Sequence, residues 1–478
     1  MFIKQNSKLL FVIISLSFVF FILIGFNFTP FLRGPAPFPP DWQWPYEFTN
    51  TISKIWFPII IGASILILSI ATEKIPDNKL QKKIFLFFIL IISLHILLQI
   101  SIIYFSRSGI TVLLHRIINP DINGYFSESL RINSIADFIK YYDVNVLHFV
   151  QHAKGHPPGS VIFFWLINQF AGFFTYLSPL INKITPSHQD VSIVWNNLLL
   201  QQKIGSLFSI GIIPIISSLT LIPFYFCSKI LFGFRTAIRS TLLYMTIPAI
   251  IFFLPISDVL FPIFSITAFA FFFSGISKNN YPCIFISGLI FSIGLFFSYS
   301  ILPLLFIVFY FNYFTNNDNK KMQFHIFINR SIAFVSGSII VPLSLLVFFQ
   351  YNSITVLLTI VTGQFKGRNY FYWIFYNLYD FLIFSGIPIF ILYVYMFIKR
   401  IKNNLFIAFT LMLLLLDISG IVRAEVGRIW IPFTSILTMI IGYFITKKLK
   451  FRSLFFITIL CIQLIQIMVM QEFWIMLW

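Results

Sequence analysis

The 478-residue sequence predicts an all-α fold, a polytopic bundle of about 13–14 transmembrane helices. Three observations predict it. First, 58% of the residues are hydrophobic and only 10% are charged, whereas soluble domains are about a quarter charged and cannot bury so much apolar surface. Second, apolar runs of about 17–25 residues recur from end to end, the length at which a helix crosses the hydrocarbon core. Third, Lys and Arg gather in short clusters between those runs, such as "KRIKNN" (399–404) and "KKLKFR" (447–452). That distribution orients membrane helices with their basic loops in the cytoplasm. The formal net charge of +18 therefore reads as topology and gives no reason to expect a nucleic-acid partner. Cys227, Cys283 and Cys461 stand at unrelated spacings and imply neither a disulfide framework nor a zinc site.

The elements follow in chain order. The run near 8–28 lacks a small-residue cleavage site and reads as a retained helix. "LRGPAPFPPDWQWPY" (32–46) has too many prolines for a helix, and its tryptophans suit the interfacial belt. With the run 54–72, residues 1–83 add two N-terminal helices to a core at 84–276, and 277–478 supplies the remaining helices of a single membrane domain. Basic clusters at 73–83, 229–239, 320–330, 399–402 and 447–452 are assigned to the cytoplasm. The external loops are then 29–53, 105–156, a short turn at Ser257 and Asp258, 350–376 and 422–428, and the C-terminus with Trp474 and Trp478 ends outside. Parity between 157 and 228 stays open: either 157–177 re-enters, or 191–228 holds two crossings divided near Pro214. Asp41, Glu47, Asp121, Glu128, Asp137, Asp143, Asp258, Asp380 and Glu425 all fall on the external side, so chemistry is expected there, on a multi-pass protein of the plasma membrane.

The longest loop, 105–156, carries the densest constellation. Ile135, Phe138, Ile139 and Tyr142 fit a 3.6 period, so two surface helices are expected, near 125–132 and 135–152. "NPDING" places Asp121 on a bend, with Tyr125 shortly after. In "HAKGHPPGSVIFFW" (152–165), Pro157 and Pro158 open a membrane helix. His148, His152 and His156 recur at spacing four and share a face if the helix continues. With Asp137 and Asp143 nearby they raise the option of a divalent metal, although Gly155 and Pro157 argue against continuity; no other cofactor is implied. The alternative role for His152 and His156 is hydrogen bonding to an acceptor or a phosphate.

These features resemble the GT-C glycosyltransferases, of the protein O-mannosyltransferase and aminoarabinose transferase type. The likeness rests on an acid on a bend in the first core loop, an aromatic a few residues on, and surface helices. A basic residue with Pro-Pro opening a helix and "PISDVLF" (255–261) complete it, up to about residue 276. Two positions depart from the family pattern, since Ile122 follows Asp121 where a second acid is usual and Gly159 follows the Pro-Pro pair. The resemblance implies transfer of a sugar from a polyprenyl-phosphate donor to a lipid, glycan or protein acceptor at the extracytoplasmic face. Asp121 would be the base, and Glu128 would be a second carboxylate.

The residues themselves offer cations for the leaving phosphate, because the planar guanidinium fork matches phosphate oxygens. "RAEVGR" (423–428) carries Arg423 and Arg428 around Glu425, and "GQFKGRNYFYW" (363–373) carries Lys366 and Arg368. Arg428 ranks first because it directly precedes a helix. Structural readings stand beside each functional one: Asp121 in an Asx-turn before Gly124, Asp258 as a helix cap, Asp417 paired with Arg423, and Arg423 paired with Glu425. Asp41 and Asp258 are secondary catalytic candidates. Competing functions are a transporter or flippase of a lipid-linked substrate, which would show repeated halves that this sequence lacks, and a polysaccharide polymerase or ligase.

Overall fold

The computed structural model describes residues 2–37, 41–184, 186, 189–314, 320–363 and 368–475. Among these the regular secondary structure is all helical, and the only pairing of β type is an isolated bridge between Tyr46 and Trp474. Eight helices are long and apolar enough to span a membrane, beginning with Ser7–Gly25 and ending with Arg452–Phe473. Six shorter apolar helices accompany them, among them Tyr281–Phe297 and Ile431–Lys447. In hydrocarbon a helix satisfies its own backbone, so apolar runs have no other open conformation. Their ends are set by polar residues and prolines. Asn280 and Asn403 accept from the backbone N–H three residues on, and Pro282, Pro388 and Pro432 occupy first turns.

Helix Ile431–Lys447 forms the centre, with nearly every side chain buried. It packs against Phe234–Tyr244 and Phe261–Lys278. The tightest contact joins Tyr281–Phe297 to Lys320–Phe349. A Cβ on Gly288 would lie 2.0 Å from the Phe334 carbonyl oxygen, and one on Gly337 would lie 2.1 Å from that of Phe285. Small residues at such crossings let two backbones touch, which replaces the missing hydrophobic drive between helices in lipid. The two N-terminal helices belong to the body: Phe2–Gly25 and Trp56–Lys74 both pack on Arg452–Phe473.

Three stretches gain detail in the structure. Leu200–Phe232 is one 33-residue candidate span with Pro214 inside its first helix, so the chain does not divide there. The helix expected over 135–152 breaks into Ile135–Lys140, Tyr142–Asn145 and two 3-10 turns. Beyond these breaks Val150 is extended and donates its N–H to Glu128 at 2.9 Å, so the three histidines do not share one helical face. Trp42 and Trp44 are buried within the protein, at 7% and 2% exposure. The Trp44 indole donates to Asp380 at 2.9 Å, which draws the proline-rich segment inward.

Segments grouped by charge in the sequence are also grouped in space. At one end, Arg239 from the 229–239 cluster grips Glu73 with two bonds of 2.8 and 2.6 Å, and Arg235 pairs with Asp77. At the other end, residues of the loops 29–53, 105–156, 350–376 and 422–428 and of the Ser257–Asp258 turn bond to one another, as in the pairs Arg107–Glu47, Arg428–Asp258 and Arg368–Glu425.

Candidate functional site

The site is built around the turn 420–428. Gly420, Ala424 and Glu425 all have positive φ, at 61°, 79° and 58°. For the last two this costs of order 1–3 kcal/mol each and requires outside support. Helix Tyr370–Ser385 supplies it. Asn377 donates to the Val422 carbonyl at 2.9 Å and accepts from the Ala424 N–H at 3.3 Å. Asp380 accepts from the Gly427 N–H at 2.8 Å, and Arg368 donates to the Arg423 carbonyl at 2.6 Å. The turn so held presents Glu425 and Arg428 inward.

Arg428 is buried, with its side chain 4% exposed. Its Nη2 donates to Glu425 and to His152 Nδ1, both at 3.0 Å. A guanidinium only donates, so His152 Nδ1 carries no proton. Its Nε lies 3.3 Å from Asp258 Oδ2, and the Asp258 side chain is 3% exposed. Glu425 also faces Arg368 at 3.5 Å, so the two arginines and two acids alternate. Asp258 does not cap a helix, as the sequence suggested; it sits in the 3-10 turn Ser257–Leu260, which has no side-chain cap, and is turned to Arg428 instead.

Tyr125 and His156 complete the cluster, their rings edge to face at 5.4 Å. Tyr125 opens a short helix after Gly124, whose φ of 76° would strain any other residue and whose Cβ would meet the Val150 carbonyl at 2.9 Å. The His156 carbonyl accepts from the Tyr142 hydroxyl at 2.7 Å, which fixes the backbone before Pro157. The Tyr125 and Ser257 hydroxyls face each other, while His156 Nδ1 and Arg428 Nη1 are buried polar atoms that carry no hydrogen bond. Unsatisfied buried groups cost about 1–3 kcal/mol each, and their convergence suits a polar ligand.

The electrostatics follow from burial beside one cation. Burial, then Arg428, pushes the His156 imidazole down to about 3, and the same two causes hold His152 well below its ordinary value. Burial and then Asp258 raise the Tyr125 phenol well above its usual range. Burial pulls the Arg428 guanidinium down, but Asp258 and Glu425 outweigh it and leave the value raised. The cluster thus offers a charged guanidinium, two neutral imidazoles and a protonated phenol. No family model, curated protein or solved structure matches the chain.

The remaining candidates are placed differently. Asp121 is exposed on the turn four residues before Tyr125, hence within about 14 Å of it along the chain, and its backbone N–H donates to Asn119 at 2.9 Å. Glu128 is turned inward at 2% exposure and is engaged by the Val150 N–H and by Arg131 at 3.1 Å, so it ties the loop together. Arg423 faces away from the cluster, donating to the Arg368 carbonyl at 2.6 Å and lying over the Tyr370 ring. It does not pair with Glu425 or with Asp417, whose carboxylate accepts instead from Asn377 at 3.1 Å. Asp41 accepts from the Trp373 indole at 2.8 Å. Lys366 lies outside the described residues. Among those described, no three His, Cys, Asp or Glu side chains are gathered to hold a metal, and His148 is exposed.

Sequence reasoning missed Asn377 and placed Asp380 only among the external acids. Asn377 and Asp380 fix the turn, but nothing in their spacing singles them out. Arg116 is buried and donates to the Phe252 carbonyl at 2.7 Å. It helps line a cavity of about 400 Å³ together with Ser106, Arg107 and Trp474; none of the cluster residues lines that cavity.

Proposed function

We propose that the chain is a membrane glycosyltransferase of the GT-C kind. It moves a sugar from a polyprenyl-phosphate donor to a lipid, glycan or protein acceptor at the extracytoplasmic face of the plasma membrane. The observation that carries this reading is Arg428, a buried guanidinium oriented by two acids, with the polar side chains of Tyr125, Ser257 and His156 around it. A leaving phosphate needs a cation aimed at it in a water-poor site, where electrostatic stabilisation acts most strongly. A sugar needs fixed neutral donors and acceptors.

In this reading Arg428 and Arg368 face the phosphate oxygens, and Asp258 and Glu425 are positioning residues that hold the guanidinium. Tyr125, which keeps its proton, donates a hydrogen bond to the sugar donor, and His152 and His156 bind as neutral imidazoles. Asp121, solvent-accessible upstream of Tyr125, is the base. It takes the acceptor hydroxyl proton while that oxygen bonds to the anomeric carbon and the anomeric C–O bond breaks. The electron pair leaves on polyprenyl phosphate. General-base removal is worth about 10²–10⁴-fold.

The test is sugar transfer by purified protein offered a panel of polyprenyl-phosphate sugars, with Asp121→Asn and Asp258→Asn in parallel. Loss of turnover with Asp121→Asn supports the assignment. Full turnover with Asp121→Asn but none with Asp258→Asn moves the base to Asp258. Translocation of intact lipid without transfer refutes the enzyme reading in favour of a flippase.

A further inference from the structure

At the end of the helices opposite the Arg428 cluster, the spans Trp56–Lys74 and Ile84–Phe105 are joined by a short basic connection. A cavity of about 380 Å³ opens there, lined by Lys74, Ile75, Pro76, Lys79, Lys82 and Lys83. Two acids lie in the same stretch, and both are taken by arginines from another helix. Glu73 is held by Arg239 at 2.6 Å, and Asp77 pairs with Arg235. None of the four lysines joins an ion pair among the described residues. Arg235 also donates to the carbonyls of Thr72 and Ile75, at 2.6 and 2.9 Å, and buried Leu80 anchors the connection from within. The backbone carrying the lysines is therefore fixed, while their charge is uncompensated.

We propose that this cavity binds the phosphate-bearing headgroup of an anionic membrane lipid. Four exposed lysines line one cavity of about 380 Å³, at the point where two spanning helices emerge. A lipid whose acyl chains lie along those helices places its phosphate at this level. Each lysine near an anionic surface contributes about 1 kcal/mol, and a cavity that gathers four concentrates that attraction on one molecule. The proposal stands on the lysines and the paired acids and is independent of the sugar-transfer reading.

The experiment uses full-length protein in neutral-detergent micelles, with the thermal unfolding midpoint followed against added phosphatidylglycerol, phosphatidylcholine or inorganic phosphate. Phosphatidylglycerol is expected to raise the midpoint saturably where phosphatidylcholine does not. The variant Lys74→Gln/Lys79→Gln/Lys82→Gln/Lys83→Gln should need about tenfold or more lipid for the same effect. The variant Lys399→Gln/Lys402→Gln/Lys447→Gln/Lys448→Gln, which removes equal charge from other basic clusters, should respond like the parent. Equal losses in both variants would show a diffuse field and overturn the site. Saturation by inorganic phosphate alone, with no further gain from lipid, would assign the lysines to a soluble anion and overturn the lipid assignment.

Discussion

Replacing Arg428 by Leu isolates the electrostatic logic of the cluster. In the parent, Asp258 is 3% exposed and its facing cation is Arg428 Nε at 3.3 Å, while Glu425 keeps a second partner in Arg368 at 3.5 Å. Removing Arg428 therefore strands Asp258 more than Glu425. Breaking one side of a buried ion pair costs about 3–5 kcal/mol, whereas removing both sides is often neutral. Arg428→Leu should lower the unfolding free energy by about 3–5 kcal/mol, and adding Asp258→Asn should restore about 1–3 kcal/mol of it. The assay is reversible unfolding in mixed micelles, run as a double-mutant cycle so that the coupling is read directly. A loss below about 1 kcal/mol for Arg428→Leu, or additive effects of the two substitutions, would refute the claim that the pair is buried and mutually dependent.

Other outcomes are expected by the same reasoning. At the opposite end, Glu73→Gln should cost about 3–5 kcal/mol because Arg239 loses two short bonds, and Arg239→Met in that background should recover most of it. Gly288→Leu should destabilise by at least about 1–3 kcal/mol, since even a Cβ would lie 2.0 Å from the Phe334 carbonyl; an unchanged midpoint would mean that the two helices are not in contact. His156 is depressed to about 3 in the folded protein against about 6.5 unfolded, so the unfolded chain binds the extra proton between those values. Stability is then full above about pH 6.5 and falls as pH drops toward 3, by at most about 1.4 kcal/mol per unit from this group. His156→Gln should flatten that slope.

The class of fold was legible because hydrocarbon leaves the backbone so few choices. Apolar runs became helices, and two of the basic clusters meet, with Arg235 and Arg239 reaching the acids of the 73–83 connection. The segmentation of 135–152 was not legible, because the periodicity of Ile135, Phe138, Ile139 and Tyr142 is local. The bond from Val150 to Glu128 that holds the extended stretch after those breaks spans 22 residues. The cluster was half visible. Arg428, Glu425, His152 and His156 stand out as polar residues between apolar runs, and Tyr125 follows the bend. Asp258 read equally well as a cap, and only its approach to Arg428 across 170 residues of chain separates the two roles. The tryptophans of 41–46 told only part of their role: an indole suits an interface, but it also fills a core when its N–H finds a carboxylate, as Trp44 does with Asp380.

The most direct measurement is transfer of labelled sugar from a polyprenyl-phosphate donor by the purified parent and by Arg428→Lys. Lysine keeps the charge but not the fork that touches Glu425 and His152 and approaches Asp258. The parent should turn over, and Arg428→Lys should lose about 10²-fold or more while remaining folded. Equal turnover by the two proteins, or no transfer by the parent from any donor in the panel, would contradict the account.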